Sequence, residues 1–300
     1  MTMAAAIQMA SGTLVHANLL EAARLIEQAA GEGARLIVLP ENFGLMAMTD
    51  PDKYPDVEAP GDGPMQAALA ACAQRHGVWI VGGTIPLKSA DPARPVQACL
   101  LFDDQGRQQA RYDKIHLFDV ALNGGAETYR ESDTTMPGST VVVADTPFGR
   151  LGLSVCYDLR FPELYRAMLD QGAEIFVAPS AFSCTTGEAH WETLLRARAI
   201  ENSAYMIAAA QGGFHVNGRE TWGHSMIVNP WGTIVGQSQP KGAGFALAQI
   251  DRQELQRCRR ELPSVQHRVL HSDSPATVQA CTTVSATLTI TDKEQDVPYV

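Results

Sequence analysis

Long apolar runs are missing from this sequence: nowhere do its 300 residues approach the ~20 consecutive apolar side chains of a membrane-spanning helix. The opening "MTMAAAIQMASG" lacks the cationic flank of a secretory signal, so neither export nor membrane association is expected. Basic residues are in deficit, 23 Lys and Arg against 33 Asp and Glu, for a formal charge of -10, which argues against a nucleic-acid partner. One cationic run, "RQELQRCRREL" at 252–262, keeps Leu255, Cys258 and Leu262 at helical spacing and reads as a solvated helix face. The cysteines at 72, 99, 156, 184, 258 and 281 form no C-x-x-C pair, and no H-E-x-x-H occurs, so no metal and no cofactor is expected. A chain this long needs no disulfide staples; free thiols in a reducing, cytoplasmic setting fit best.

What is present is the composition of a globular protein, 45% hydrophobic and 19% charged, in which strand-like and helix-like stretches alternate. "AAAIQMA" reads as a strand. Residues 15–30 read as a helix with Leu19, Ala23, Ile26 and Ala30 on one face. "ARLIVLPE" and "GVWIVGGTIP" are continuous apolar runs suited to strands buried on both faces, with a helix over 64–76 between them. Hairpins are expected in "VQACLLFDDQGRQQARYDK", in "STVVVADTPFGRLGLSVCYD" across Pro147-Phe148-Gly149, and in "GHSMIVNPWGTIVGQ". Helices are expected from about Pro162 to Gln171 and over "HWETLLRARAIENS", and "GFALAQID" is the last core strand. The pattern predicts one α/β layered sandwich over 1–271. The Ser- and Thr-rich tail at 272–300 reads either as an added edge strand or as loose chain.

Three polar residues occupy equivalent places in this scheme. Glu41 closes "LIVLPE", Lys114 closes "QQARYDK" and Cys156 closes "GRLGLSVC". Strand ends are where open α/β sheets build sites. Strand alternation puts Cys156 on one face with Gly152 and Ser154, small residues that leave room beside a thiol. Taken alone, Cys156 reads as a small buried hydrophobe, Glu41 as a helix N-terminal acid or a salt-bridge partner, and Lys114, beside Asp113, as an exposed strand-end charge. Together the three form a coherent set for acyl transfer. The carboxylate takes the thiol proton as sulfur attacks a carbonyl, and the ammonium with a following backbone N–H holds the oxyanion. His116, His190, His215 and His224 allow a Cys–His hydrolase, but no protease signature surrounds Cys156. "GLSVC" lacks the final glycine of a serine elbow. A sandwich kept only as a partner-binding scaffold is the remaining alternative.

The motifs "LPENF", "RYDKIHLFD" and "GLSVCYDLRFPEL", in that order, resemble the carbon–nitrogen hydrolase family, the nitrilase superfamily. The likeness continues through "APSAFSCTTGEAHWETLLRARAIEN" and "GHSMIVNPWGTIV" and covers about nine-tenths of the chain. It implies a four-layer α-β-β-α sandwich, Glu41 as general base, Lys114 as oxyanion donor, Cys156 as nucleophile, Tyr157 as the backbone oxyanion donor and Glu131 as a second glutamate orienting Lys114. It also implies a homodimer packing the helices after Cys156 and around 190–203. Within the family the chain looks most like the branch acting on deaminated glutathione or on omega-amides such as 2-oxoglutaramate. A small linear carboxamide is therefore the expected substrate, deaminated glutathione first. Arg160 and Arg198 are candidates for a substrate carboxylate; with Arg196 they fit equally as ion-pair partners of Glu163 and Glu201. The stretches "GLMAMTDPDKYPDVEAPGDG" and "VALNGGAETYRES" depart from the family pattern, which leaves substrate choice open.

Overall fold

A computed structural model describes residues 1–125 and 127–269; the tail at 272–300, with Cys281, lies outside them. Met1–His267 forms a compact unit. Its first sheet contains β1 (Thr2–Gln8), β2 (Leu36–Val38), β3 (Trp79–Val81), β4 (Ile85–Leu87), β5 (Val96–Phe102) and β6 (Gln108–Asp113). A two-stranded ribbon, β7 (Asp119–Leu122) with β8 (Glu127–Arg130), follows. The second sheet contains β9 (Val143–Thr146), β10 (Gly149–Leu153), β11 (Ile175–Val177) and β12 (Tyr205–Ala208). After a hairpin of β13 (Gly212–Phe214) and β14 (Glu220–Trp222), β15 (Met226–Val228) and β16 (Ile234–Gln237) complete that sheet, and β17 (Gly244–Ile250) returns to pair with β1. The helices are α1 (Val15–Gly31), α2 (Pro64–His76), α3 (Pro162–Asp170), α4 (Cys184–Asn202) and α5 (Arg252–Glu261).

Strand alternation generates the layers. In β1 and β2, Ala4, Ala6, Leu36 and Val38 pack toward Leu151, Leu153, Ile175 and Val177 of the second sheet. Ala5, Ile7 and Ile37 point the other way, into a core shared with α1 and α2. On the far side of the second sheet lie α3 and α4, whose Tyr165, Met168, Trp191 and Leu195 pack against its outer face. The architecture is the α-β-β-α sandwich expected from the sequence. In each sheet a parallel core is flanked by antiparallel strands: β1–β2–β3 in the first and β10–β11–β12 in the second.

Several expectations shift on contact with the structure. "GVWIVGGTIP" is two strands, because the chain bends at Gly82-Gly83 and both pieces then pair with β5. The buried face of α1 is Ala22, Leu25, Ile26 and Ala29, so Leu19 and Ala30 sit at its edge rather than its centre. Helix α4 begins at Cys184, where the Ser183 hydroxyl caps the Thr186 N–H, a turn and a half before the predicted start. The Gly152–Ser154 face is not open space. A Cβ on Gly152 would come within 2.7 Å of Met168 Sδ, and Ser154 Oγ lies 2.7 Å from Tyr165 Oη. The small residues let α3 approach the sheet and leave no room for a ligand.

Candidate active site

Each of the three residues sits just past the C-terminal end of a strand, displaced from where the sequence placed it. Beyond β2, the Leu39 N–H still bonds the Val81 carbonyl at 2.9 Å. Pro40 has no N–H to continue the ladder, and the chain turns outward at Glu41. Two bonds hold that turn: Gln211 Nε2 donates to the Glu41 carbonyl at 3.0 Å, and the Asn42 N–H donates to Thr84 Oγ1 at 2.9 Å. Gly83 is required beneath it, since φ there is +52° and a Cβ would fall 2.0 Å from the Pro40 carbonyl oxygen. Lys114 directly follows β6, its N–H bonded to the Gln97 carbonyl at 3.0 Å and its carbonyl to the Gly138 N–H at 2.8 Å.

Cys156 does not end its strand. β10 stops at Leu153, and Cys156 opens a 3₁₀ turn, Cys156–Arg160, with φ of +47°. That left-handed conformation is costly for a residue with a Cβ and is held by its surroundings. The Cys156 N–H bonds the Pro179 carbonyl at 2.9 Å and the Asp158 N–H bonds the Val155 carbonyl at 3.0 Å. Asp158, fully buried, anchors the turn. Its carboxylate accepts from Tyr112 Oη at 2.7 Å, from the Val155 N–H at 2.8 Å, from the His116 N–H at 3.1 Å and from His116 Nδ1 at 2.6 Å.

The side chains converge. Lys114 Nζ lies 2.8 Å from Glu41 Oε1, 2.8 Å from Glu131 Oε2 and 3.1 Å from Glu131 Oε1. Glu131 is itself held by the Phe118 N–H at 2.7 Å. Burial works against the charge on Lys114, but the Glu131 and Glu41 carboxylates outweigh it and hold its pKa well above the ordinary value. For Cys156 the balance runs the other way. Burial raises the thiol, the Glu41 carboxylate raises it further by charge and by hydrogen bonding, and the Lys114 ammonium with the Ala181 N–H only partly offsets this. The resting sulfur is therefore a protonated thiol beside a carboxylate, and attack requires that its proton be taken.

These groups open into a cavity of about 230 Å³, which suits a small molecule. Arg160 lines it, its guanidinium 5.8 Å from the Tyr157 ring centre and 5.3 Å from that of Phe182. Arg198 does not line it: its Nη1 pairs with Glu201 at 2.9 Å and its Nε donates to the Leu159 carbonyl at 3.0 Å, the ion-pair reading of that residue. Arg196 pairs with Glu192 rather than with Glu163 or Glu201. The sequence reading missed Arg219, Lys53 and Gln97, all of which line the cavity. Arg219 lies over Tyr129 at 5.1 Å and donates to the Ala181 carbonyl at 3.3 Å.

Residues 3–260 match the carbon–nitrogen hydrolase family. The chain belongs to that family. It is a carbon–nitrogen hydrolase of the nitrilase superfamily, an amidase. Over 264 residues it is 46% identical to the deaminated glutathione amidase of Yersinia enterocolitica, covering 88% of this chain and 91% of that one. Among solved structures it is similar to Saccharomyces cerevisiae Nit3, a member of branch 10 of the nitrilase superfamily. That likeness has a TM-score of 0.80 and 29% identity, covering 90% of this chain and 97% of that one. It is also similar to an amidase from Nesterenkonia sp. AN1 in which acrylamide has undergone Michael addition at the active site cysteine. There the TM-score is 0.73 and the identity 26%, covering 89% of this chain and 100% of that one.

Proposed function

We propose that this hydrolase opens a small linear carboxamide, deaminated glutathione first among candidates, through a thioester on Cys156. The observation that carries the reading is the Lys114 ammonium placed 2.8 Å from both Glu41 and Glu131 beside a buried, protonated thiol. The name of the Yersinia relative supports the substrate, and the acrylamide adduct of the Nesterenkonia amidase supports the nucleophile.

In this mechanism Glu41 accepts the thiol proton as Cys156 Sγ attacks the amide carbon, and the carbonyl π pair moves onto oxygen. Lys114 and the Tyr157 N–H hold that oxyanion. The neighbouring N–H groups of Cys156 and Asp158 are engaged with backbone carbonyls, which leaves Tyr157 as the turn's donor. Collapse breaks the C–N bond, and Glu41 hands its proton to the departing nitrogen. Water then enters. Glu41 takes a proton from it as its oxygen attacks the thioester, and the second collapse releases the carboxylic acid and returns the proton to sulfur. Glu131 acts through Lys114, holding the ammonium in place. Arg160, stacked on two aromatic rings in the cleft, is available to a substrate carboxylate.

The same reading places the enzyme in the cytoplasm as a homodimer formed through α3 and α4; light scattering on the purified chain tests the assembly, and a monomer alone removes it. The function is tested by amine and ammonia release from a panel of amides, with Cys156→Ala as the blank. Release from deaminated glutathione exceeding that from 2-oxoglutaramate supports the proposal. Release from 2-oxoglutaramate alone moves the substrate to omega-amides, and release from neither rejects it.

A further inference from the structure

Arg219 is a cation of the cleft that the chemistry above leaves unused. It stands just before β14, half-buried, and lines the cavity. Its side-chain contacts among the described residues are all neutral. Nη2 donates to the Ala181 carbonyl at 3.3 Å, Nη1 reaches Met46 Sδ at 3.9 Å, and the guanidinium carbon rests 5.1 Å from the Tyr129 ring centre. Glu127 touches this group only by way of Tyr129: its oxygens accept from Tyr129 Oη at 2.8 Å and from Thr185 Oγ1 at 3.1 Å. Glu41 and Glu131, the carboxylates lining the cavity, are engaged by Lys114. A guanidinium presents five N–H donors in a fixed fork, and one long bond to a carbonyl with one contact to sulfur leaves most of them unmet. A charge withdrawn from water is normally paired within the fold. One that is not, at the wall of a cavity, points to a counterion from outside the chain.

The loop between β13 and β14 holds the group in place. The Arg219 N–H bonds Asn217 Oδ1 at 3.0 Å, the Arg219 carbonyl takes the His215 N–H at 2.9 Å, and Asn217 Nδ2 donates to the Ala47 carbonyl at 2.8 Å. Residues 181 and 182 link it to the chemistry. Ala181 gives its carbonyl to Arg219 and its N–H to Cys156. Phe182 lies 5.3 Å from the Arg160 guanidinium, and its carbonyl takes the Trp222 N–H at 2.9 Å. Arg160 also lacks an ion pair among the described residues; its Nη1 lies 3.2 Å from His190 Nδ1. Two such guanidiniums thus flank one short segment beside the sulfur. Arg160 belongs to the same turn as Cys156, to which the acyl part of the substrate becomes bonded. Arg219 comes from a separate hairpin, which leaves it the part that departs with nitrogen.

We propose that Arg219 is a specificity-determining residue whose guanidinium pairs with a carboxylate on the amine-side portion of the substrate. The substrate class is then an N-substituted amide with an acid on each side of the scissile bond, one acid for Arg160 and one for Arg219. Deaminated glutathione is of this class, with its glycine carboxylate on the leaving portion. 2-Oxoglutaramate, whose leaving group is ammonia, is not. The inference rests on the amidase reading and deepens it, since it assigns the residue that separates the two candidate substrates.

The test uses the full chain, the variants Arg219→Gln and Arg219→Lys, and two substrates that differ in one charge: deaminated glutathione and its analogue with the glycine carboxylate replaced by a carboxamide. Release of the cysteinyl amine is followed for both. Arg219→Gln is expected to raise KM for deaminated glutathione about tenfold or more, with kcat within about twofold, and to leave KM for the glycinamide analogue within about twofold. Arg219→Lys keeps the charge without the fork and should fall between the natural chain and Arg219→Gln. Unchanged KM for deaminated glutathione in Arg219→Gln overturns the proposal. So does an equal rise for both substrates with a lowered melting temperature, which is the mark of a merely structural residue. Calorimetric titration of Cys156→Ala reads the same contact without turnover. That protein should bind deaminated glutathione about tenfold more tightly than the analogue, and adding Arg219→Gln should erase the difference. Equal affinity for the two ligands in Cys156→Ala, or no binding of either, also overturns it. Failure of the natural chain to hydrolyse any amide would sink the amidase reading, while the titration still decides the role of Arg219.

Discussion

Asp158 Oδ2 accepts a 2.7 Å hydrogen bond from Tyr112 Oη, and through that contact the strand leading to Lys114 is tied to the turn carrying Cys156. The same carboxylate takes the Val155 N–H and both His116 donors. One buried group thus sets the spacing between ammonium and sulfur. Asp158→Asn should destabilise the fold by about 2–3 kcal/mol, because an amide must present N–H to a nest of donors. Misplacing the sulfur should lower kcat by roughly 10²-fold. Tyr112→Phe, which removes a single bond, should lose only about 1 kcal/mol. Thermal melts and steady-state kinetics check both, and an Asp158→Asn protein of natural stability and rate would contradict the account.

Glu41 has two separable effects on Cys156. It is the proposed proton acceptor, and its charge helps hold the thiol pKa up. Glu41→Gln should therefore abolish amide turnover, by about 10³-fold or more, while lowering the thiol pKa. At pH 8–9 alkylation of Cys156 by uncharged iodoacetamide should become faster, not slower, because the thiolate fraction rises. Peptide mapping distinguishes the label from that on the other described thiols, of which Cys99 and Cys258 are buried and Cys72 and Cys184 half-buried. Loss of labelling in step with loss of turnover would show that Glu41 does not raise the thiol.

Glu131 bonds Lys114 Nζ through both carboxylate oxygens. Glu131→Gln keeps the shape and removes the charge, so kcat should fall roughly 10²-fold with little change in KM. Lys114 stays charged across the working range, since its pKa is held well above the ordinary amine value. No alkaline loss of activity below about pH 10 should trace to that lysine. A raised KM with unchanged kcat in Glu131→Gln would mean that the residue binds substrate instead of holding the ammonium.

His215 should make stability depend on pH. Burial, helped by the Arg219 charge and opposed by the Ser11 carbonyl, holds its pKa below the ordinary imidazole value. The unfolded chain therefore binds the proton more readily than the folded one. Stability is complete above about pH 6.5 and declines as the pH falls toward the folded value. His215 Nδ1 contacts the Ser11 carbonyl at 2.9 Å and Nε2 contacts Thr221 Oγ1 at 2.7 Å, so it braces the hairpin segment that presents Asn217 and Arg219 to the cleft. Melting temperatures at pH 7.5 and 5.5 should differ less in His215→Gln than in the natural chain; an equal difference would remove the assignment.

The layers were legible from the sequence because they depend on alternation and on turn residues, both local. The hairpins at Asp103–Arg107 and Thr146–Gly149 are local signals of this kind. So is α2, with Pro64 at its start and a left-handed Gly77 at its end. Glu41, Lys114 and Cys156 could be grouped because each follows the C-terminal end of a strand that is legible locally. The Gly82-Gly83 bend was not legible, since its cause is the Pro40 carbonyl, distant in sequence and 2.0 Å from where a Cβ would stand. Asp158, Gln97 and Arg219 were missed for the same reason. Each is defined by what the fold brings to it.

Rapid acid quench during turnover of deaminated glutathione, followed by intact mass and peptide mapping, tests the central claim most directly. The account predicts a protein species heavier by the acyl chain of the substrate, the added mass on the Cys156 peptide, and neither adduct nor amine release in Cys156→Ala. Amide hydrolysis that persists in Cys156→Ala, with the sulfur of the natural chain unmodified throughout, would contradict it.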